Sequence, residues 1–158
     1  MLTIFFAIRF ARVLLIVVLL SSGASRIWAA QSDVADQGET LYKRLGGYDA
    51  IAAVSDDFIG RLAVDKQLAR FLVGLSVDSQ KKLRQHVVNQ LCEATGGPCI
   101  YTGRAMKAAH TGLGITETDW QMTVQHLIAT LEKFKVPERE KGELLAIASS
   151  LKADIVEK

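Results

Sequence analysis

The chain has 158 residues, 49% of them hydrophobic and 7% aromatic, with 19 basic against 17 acidic side chains. That length suits one domain, and the two prolines among many helix formers favour an all-α class with a modest core. Residues 1–30 hold three of the basic residues and no acid, leaving 16 basic against 17 acidic, so no nucleic-acid interface is expected.

The first thirty residues read as a targeting segment. Arg9 and Arg12 precede an apolar and small-residue run over 13–24, Arg26 interrupts it, and Trp28-Ala29-Ala30 offers small residues for cleavage. The run is shorter than the roughly 20 residues of a membrane span, so a signal peptide over 1–30 and a periplasmic or secreted protein are expected. Ile27 or Trp28 would sit three residues before the cut, which keeps an uncleaved membrane anchor as the alternative. Residues 31–38 are a polar lead-in, and 39–158 form the domain.

A short helix is expected over 39–45, stopped by Gly46-Gly47. A longer one starts at Asp49, with Ile51, Val54, Phe58 and Leu62 on one stripe. Residues 67–71 suggest one helical turn and 74–78 a loop. Asp78 or Ser79 can cap the next helix, which runs to Thr95 on a stripe of Leu83, Val87, Leu91 and Ala94. Gly96-Gly97-Pro98 breaks it. A glycine-rich passage from Cys99 to Gly114 contains one short helical piece, 104–110. Thr116 and Asp119 form a capping box for a helix lined by Trp120, Val124, Leu127, Ile128, Leu131 and Phe134. Pro137 begins a last helix carrying Leu144, Ile147, Leu151 and Ile155. So loose a passage inside a small helical domain suggests that something other than protein fills the space there.

Cys92 and Cys99 are the only cysteines. In an exported chain they can be bridged, which would restrict the unfolded chain by roughly 2–3 kcal/mol; two thiols are the alternative. The histidines are His86, His110 and His126. His110 ends a short helical segment before flexible chain, and His86 lies at the edge of an apolar stripe, so the two imidazoles could flank a flat metal cofactor such as haem. A zinc site would need a third and fourth ligand, and the cysteines have no zinc-finger spacing. No Cys-x-x-Cys-His is present, which excludes covalent c-type haem attachment. His126, between Val124 and Leu127, reads as a structural residue.

From Leu41 onward the chain resembles group I truncated haemoglobins. The resemblance is carried by Leu45-Gly46-Gly47, Asp57-Phe58, Gly96-Gly97-Pro98, Tyr101-Thr102-Gly103-Arg104-Ala105-Met106-Lys107 with His110, and Gly112-Leu113-Gly114-Ile115-Thr116. It implies a two-over-two helical sandwich around haem b, with His110 as proximal iron ligand. Leu83 and Val87 then take distal positions, with Gln90 and Leu91 one turn on. Phe58, Ile59, Phe71 and Leu72 resemble the wall beside the haem. Met106, Leu113 and Ile115 surround the proximal side, and Val124, Leu127 and Ile128 close the floor. Tyr101 belongs to the motif, and Arg104 and Lys107 are candidates for the propionates, with Lys82 a lesser one.

Two departures stand out. Many relatives carry Tyr where Ile59 falls and Gln near Val87, so the distal pocket here lacks obvious donors except Gln90 or His86. Some cyanobacterial relatives bind iron through a histidine in the register of His86; the alternatives are a propionate contact or solvent. The expected function is reversible binding of oxygen, nitric oxide or carbon monoxide outside the cytoplasm. Nitric oxide dioxygenation is a second reading and needs a separate reductase, since the chain has no dinucleotide fingerprint. Peroxidase-like or electron-transfer work would suit a ligating His86, and a haem-free helical interaction module is the remaining reading.

Overall fold

The computed structural model describes residues 38–158, so the expected leader and nearly all of the lead-in lie outside the described residues. The helices within them are α1 (Leu41–Arg44), α2 (Gly47–Val64), α3 (Val77–Ala94), α4 (Met106–His110), α5 (Glu117–Lys133), α6 (Glu138–Ser150) and α7 (Lys152–Ile155), with a 3-10 turn at Ala69–Phe71. No strand occurs among the described residues.

Local chemistry sets the boundaries. Gly46, at φ +96°, is the N-cap of α2, so that helix begins two residues before Asp49. Ser76, rather than Asp78 or Ser79, caps α3: its hydroxyl accepts the Ser79 N–H at 3.2 Å. Asp78 thereby falls inside the first turn, where its charge suits the positive end of the helix dipole. The capping box of α5 forms as expected, with Thr116 accepting from Asp119 N–H and Asp119 accepting from Thr116 N–H. The last helix is interrupted at Leu151, which yields α6 and the separate α7.

α2 is the central element, packed against both α3 and α5. Leu41, Val54, Leu127, Leu131 and Leu144 form one core cluster. Ile51, Val88 and Cys92 form another, and Leu91 touches both. The inner face of α3 is therefore turned from the expected stripe. Val88 and Cys92 are 0% exposed, Leu83 and Val87 are half-buried, and Ala94 is exposed. Val88 and Cys92 pack with Ile51 of α2, and a Cys92–Cys99 disulfide, Cα–Cα 5.7 Å, ties this face to the turn that follows. Phe134 is 39% exposed because α5 has already ended at Lys133.

The turn after α3 is also the seat of α1. The Tyr42 N–H donates to the Thr95 carbonyl at 2.7 Å. A Cβ on Gly97 would meet the Tyr42 ring at 2.5 Å, the Cys92 sulfur at 2.7 Å and the Cys92 carbonyl at 2.8 Å. At the other end of α1, Arg44 pairs with Glu140 at 2.9 Å and Glu143 at 2.5 Å, tying it to α6.

Two carboxylates join distant elements. Asp57 on α2 accepts from Lys133 and Thr130 on α5 and from Arg61, and these partners, Lys133 foremost, hold its pKa down to about 2. Asp119, 1% exposed, would be pushed up by burial. Bonds from Gln67 and Thr116 and the charge of Arg70 outweigh that and bring it to about 2. Both values lie below the ordinary 3.8, so this stabilisation is complete above about pH 4 and is lost as pH falls toward 2.

Urea unfolding at pH 7 and pH 3 tests these contacts. Asp119→Ala should cost about 2–4 kcal/mol at pH 7, since it removes a cap and charge-assisted bonds. Asp119→Asn should show a smaller loss between pH 7 and pH 3 than the parent; an equal loss would exclude Asp119 as a source of acid sensitivity. Gly97→Ala should cost about 1–3 kcal/mol through overpacking at the Tyr42 ring, measured as a shift of the urea midpoint.

Candidate functional site

The passage between α3 and α5 is organised by short-range bonds. The Tyr101 hydroxyl donates to the Arg104 carbonyl at 2.7 Å, curling the chain ahead of α4. α4 has only five residues, and its N-cap, Ala105, supplies no side-chain bond. The helical piece is thus shorter than the expected 104–110.

His110 is the last residue of α4. Its Nδ1 lies 2.8 Å from the Met106 carbonyl oxygen. A carbonyl oxygen can only accept, so Nδ1 carries the proton and, in the neutral ring, Nε2 keeps its lone pair. This arrangement, one ring nitrogen anchored to the backbone and the other available, is what a metal-ligating imidazole requires.

The chain beyond His110 turns through Gly112 and Gly114, at φ +88° and +66°. Glu157 Oε1 accepts the Gly112 N–H and Oε2 the Gly114 N–H, each at 2.6 Å. These two amides hold the Glu157 carboxyl below its usual range. No pattern in the sequence pointed to Glu157, because its partners are backbone groups more than forty positions away.

On α3, Leu83, His86, Val87 and Gln90 are half-buried. His86 Nδ1 is buried and has no hydrogen-bond partner, an arrangement that costs about 1–3 kcal/mol unless something satisfies it. The His86 ring meets the Tyr101 ring edge-on, centroids 6.0 Å apart. Burial pushes the Tyr101 phenol pKa up.

Phe58 and Ile59 on α2 are half-buried, as are Phe71 and Leu72 at the 3-10 turn. That turn is fixed from two sides. Asp65 Oδ1 accepts from the Gln67 and Leu68 N–H groups, while Arg70 reaches Asp119 at 2.8 Å and lies over the Phe71 ring at 4.6 Å. His126 completes the support, its Nε2 being 2.9 Å from Asp65 Oδ2. That bond, with the two amides, lowers the Asp65 pKa. His126 is therefore structural, as expected.

The remaining expected positions divide. Met106, Val124 and Ile128 are half-buried and Ile115 is buried. Leu91 and Leu127 are engaged in the protein core, Leu113 is 45% exposed, and Lys82, Arg104 and Lys107 are exposed. No group of three His, Cys, Asp or Glu side chains gathers as a metal cage among the described residues, and both cysteines are bonded to each other, so a zinc site finds no ligand set there.

These features fit a haem. Half-buried apolar side chains on α2, α3, α5 and the 3-10 turn have the chemistry that a flat apolar group would cover. The free Nε2 of His110 offers a ligand, the orphan nitrogen of His86 lacks a partner, and exposed cations at Arg104 and Lys107 suit carboxylate substituents.

Comparison with known proteins agrees. Residues 40–157 match the family model described as bacterial-like globin. The group 1 truncated hemoglobin of Mycolicibacterium paratuberculosis is 33% identical over 73% of this chain and 83% of its own length. That of Synechocystis is 32% identical over 70% and 90%. The 2/2 hemoglobin of Synechococcus, solved in its cyanomet state with covalently attached heme, superposes with a TM-score of 0.68 at 27% identity, covering 76% of this chain and 100% of that one. The Tetrahymena pyriformis truncated hemoglobin, at 24% identity and TM-score 0.69, shares the fold over the same 76%. With the helices, the glycine turns and the sequence match in agreement, the chain belongs to the bacterial-like globin family and has the two-over-two fold of the truncated haemoglobins.

Proposed function

We propose that this globin binds haem b through Nε2 of His110 and uses it to take up oxygen, nitric oxide or carbon monoxide. The observation that carries the reading is the 2.8 Å contact from His110 Nδ1 to the Met106 carbonyl, which assigns the proton and leaves the second nitrogen to a metal. The family and its curated relatives support haem-based gas binding. The haem supplies an iron whose face opposite the proximal ligand accepts a small gas.

This chain's residues do the rest. Met106, Ile115, Val124 and Ile128 keep water from the proximal side, and Arg104 and Lys107 meet the propionates. Ile59, Leu83 and Val87 make an apolar distal face, so a gas ligand finds donors only at Gln90 and His86. Release is correspondingly fast. A second reading, with His86 as a distal ligand, draws on the resemblance and on the half-buried place of the ring on α3; its Nδ1 is buried without a partner, so it lacks the anchoring bond that His110 has. Electron transfer or peroxidase-like work would then compete with gas storage. Nitric oxide dioxygenation would require an external reductase.

We further infer export to the periplasm or beyond. The apolar run of residues 1–30 supports it, as does the Cys92–Cys99 disulfide, a bond that persists in oxidising compartments.

Absorption spectra of the haemin-reconstituted protein test the assignment. The parent should show a Soret band that His110→Ala loses; an unchanged spectrum in that variant would remove the proximal role. A low-spin ferric spectrum that His86→Ala converts to high-spin supports the distal ligand, and a high-spin parent indifferent to His86→Ala excludes it. Gln90→Leu should speed oxygen dissociation about 5–10-fold, the equivalent of one hydrogen bond, and more than Ile59→Ala does. Slow release unaffected by Gln90→Leu would contradict this account of the distal face.

A further inference from the structure

α4 cannot hold itself in place. Isolated helices shorter than about 12–15 residues are marginal in water, and α4 has five residues with no side-chain N-cap. It packs against α7, and the residues that follow α7 run back along the segment beyond His110. There the Glu157 N–H donates to the Ile115 carbonyl at 2.9 Å, and the Glu117 N–H donates to the Lys158 carbonyl at 3.0 Å. These main-chain bonds tie residues 156–158, a C-terminal strap, to that segment. The Glu157 side chain does something additional, since its two oxygens take the N–H groups of Gly112 and Gly114, closer in the chain to His110 than any main-chain contact of the strap. Both glycines occupy the left-handed region, where the chain has most freedom to lose and where a fixed loop needs an outside tie.

We propose that Glu157 is a positioning residue for His110. Its carboxylate fixes the loop behind the imidazole and so governs the bond that Nε2 makes to a haem iron. The inference rests on the reading of His110 as proximal ligand. Chemically it is an outer contact tuning a ligand, with two charge-assisted bonds to backbone in place of one to the ring. Glu157→Gln keeps the side-chain volume but only one carbonyl oxygen, so it should act between the parent and Glu157→Ala.

Three measurements on the haemin-loaded protein decide it. Amide exchange at Gly112 and Gly114 should accelerate in Glu157→Ala. Resonance Raman of the ferrous protein just after photolysis of carbon monoxide should show the iron–histidine stretch shifted and broadened. Transfer of haemin to excess apomyoglobin should be about 10-fold faster or more, as for loss of other outer-shell partners. Arg44→Ala, which breaks the α1–α6 ion pairs, reports general loosening. A stretch unmoved in Glu157→Ala, or moved equally in Arg44→Ala, overturns the positioning role while leaving His110 as ligand. A stretch that survives His110→Ala overturns the ligand reading and this inference with it. Unchanged exchange at both glycines shows that the clamp is not formed and also overturns the proposal.

Discussion

A five-residue helix carrying the key imidazole is the constraint around which this structure is arranged. α4 buries no residue completely and has no side-chain N-cap, so its placement must come from outside. Upstream, the disulfide and the Tyr101–Arg104 bond shape the approach. Downstream, two left-handed glycines and the Glu157 carboxylate shape the exit. Within the helix, the Met106 carbonyl selects the tautomer of His110. The site is precise because each of these short-range bonds removes one freedom, not because the helix is intrinsically stable.

His86 and His110 have independent supports. His86 rides on α3, a helix of eighteen residues packed on α2 and stapled at its far end by Cys92. His110 rides on α4, which leans on α7. The 3-10 turn bearing Phe71 has a third support in Asp65, His126 and Asp119. A ligand that met all three would add its binding free energy to the cohesion of the folded domain.

Much of this was legible in the sequence where the determinants are local. The Thr116–Asp119 box and the Gly96-Gly97-Pro98 break followed from residue types at fixed spacing, and the structural reading of His126 from the resemblance that places the iron elsewhere. The inner face of α3 differs from the expected stripe because Leu83 and Val87 are as apolar as Val88, and spacing alone does not say which of two adjacent faces meets α2. The break at Leu151 escaped notice because Leu144, Ile147, Leu151 and Ile155 keep helical spacing across it. Asp65, Asp119 and Glu157 were opaque as site supports, since a carboxylate bonded to distant groups leaves no periodic signal.

The seat of α1 on the Gly96–Gly97 turn has a consequence for assembly during synthesis. Tyr42 docks on Thr95 and against a glycine whose neighbours include the disulfide sulfur, so residues 40–42 have no landing place until the chain has been made through Cys99. Residues 40–42 precede the partners they need, and Leu41 joins its core cluster only once Leu127, Leu131 and Leu144 are also in place.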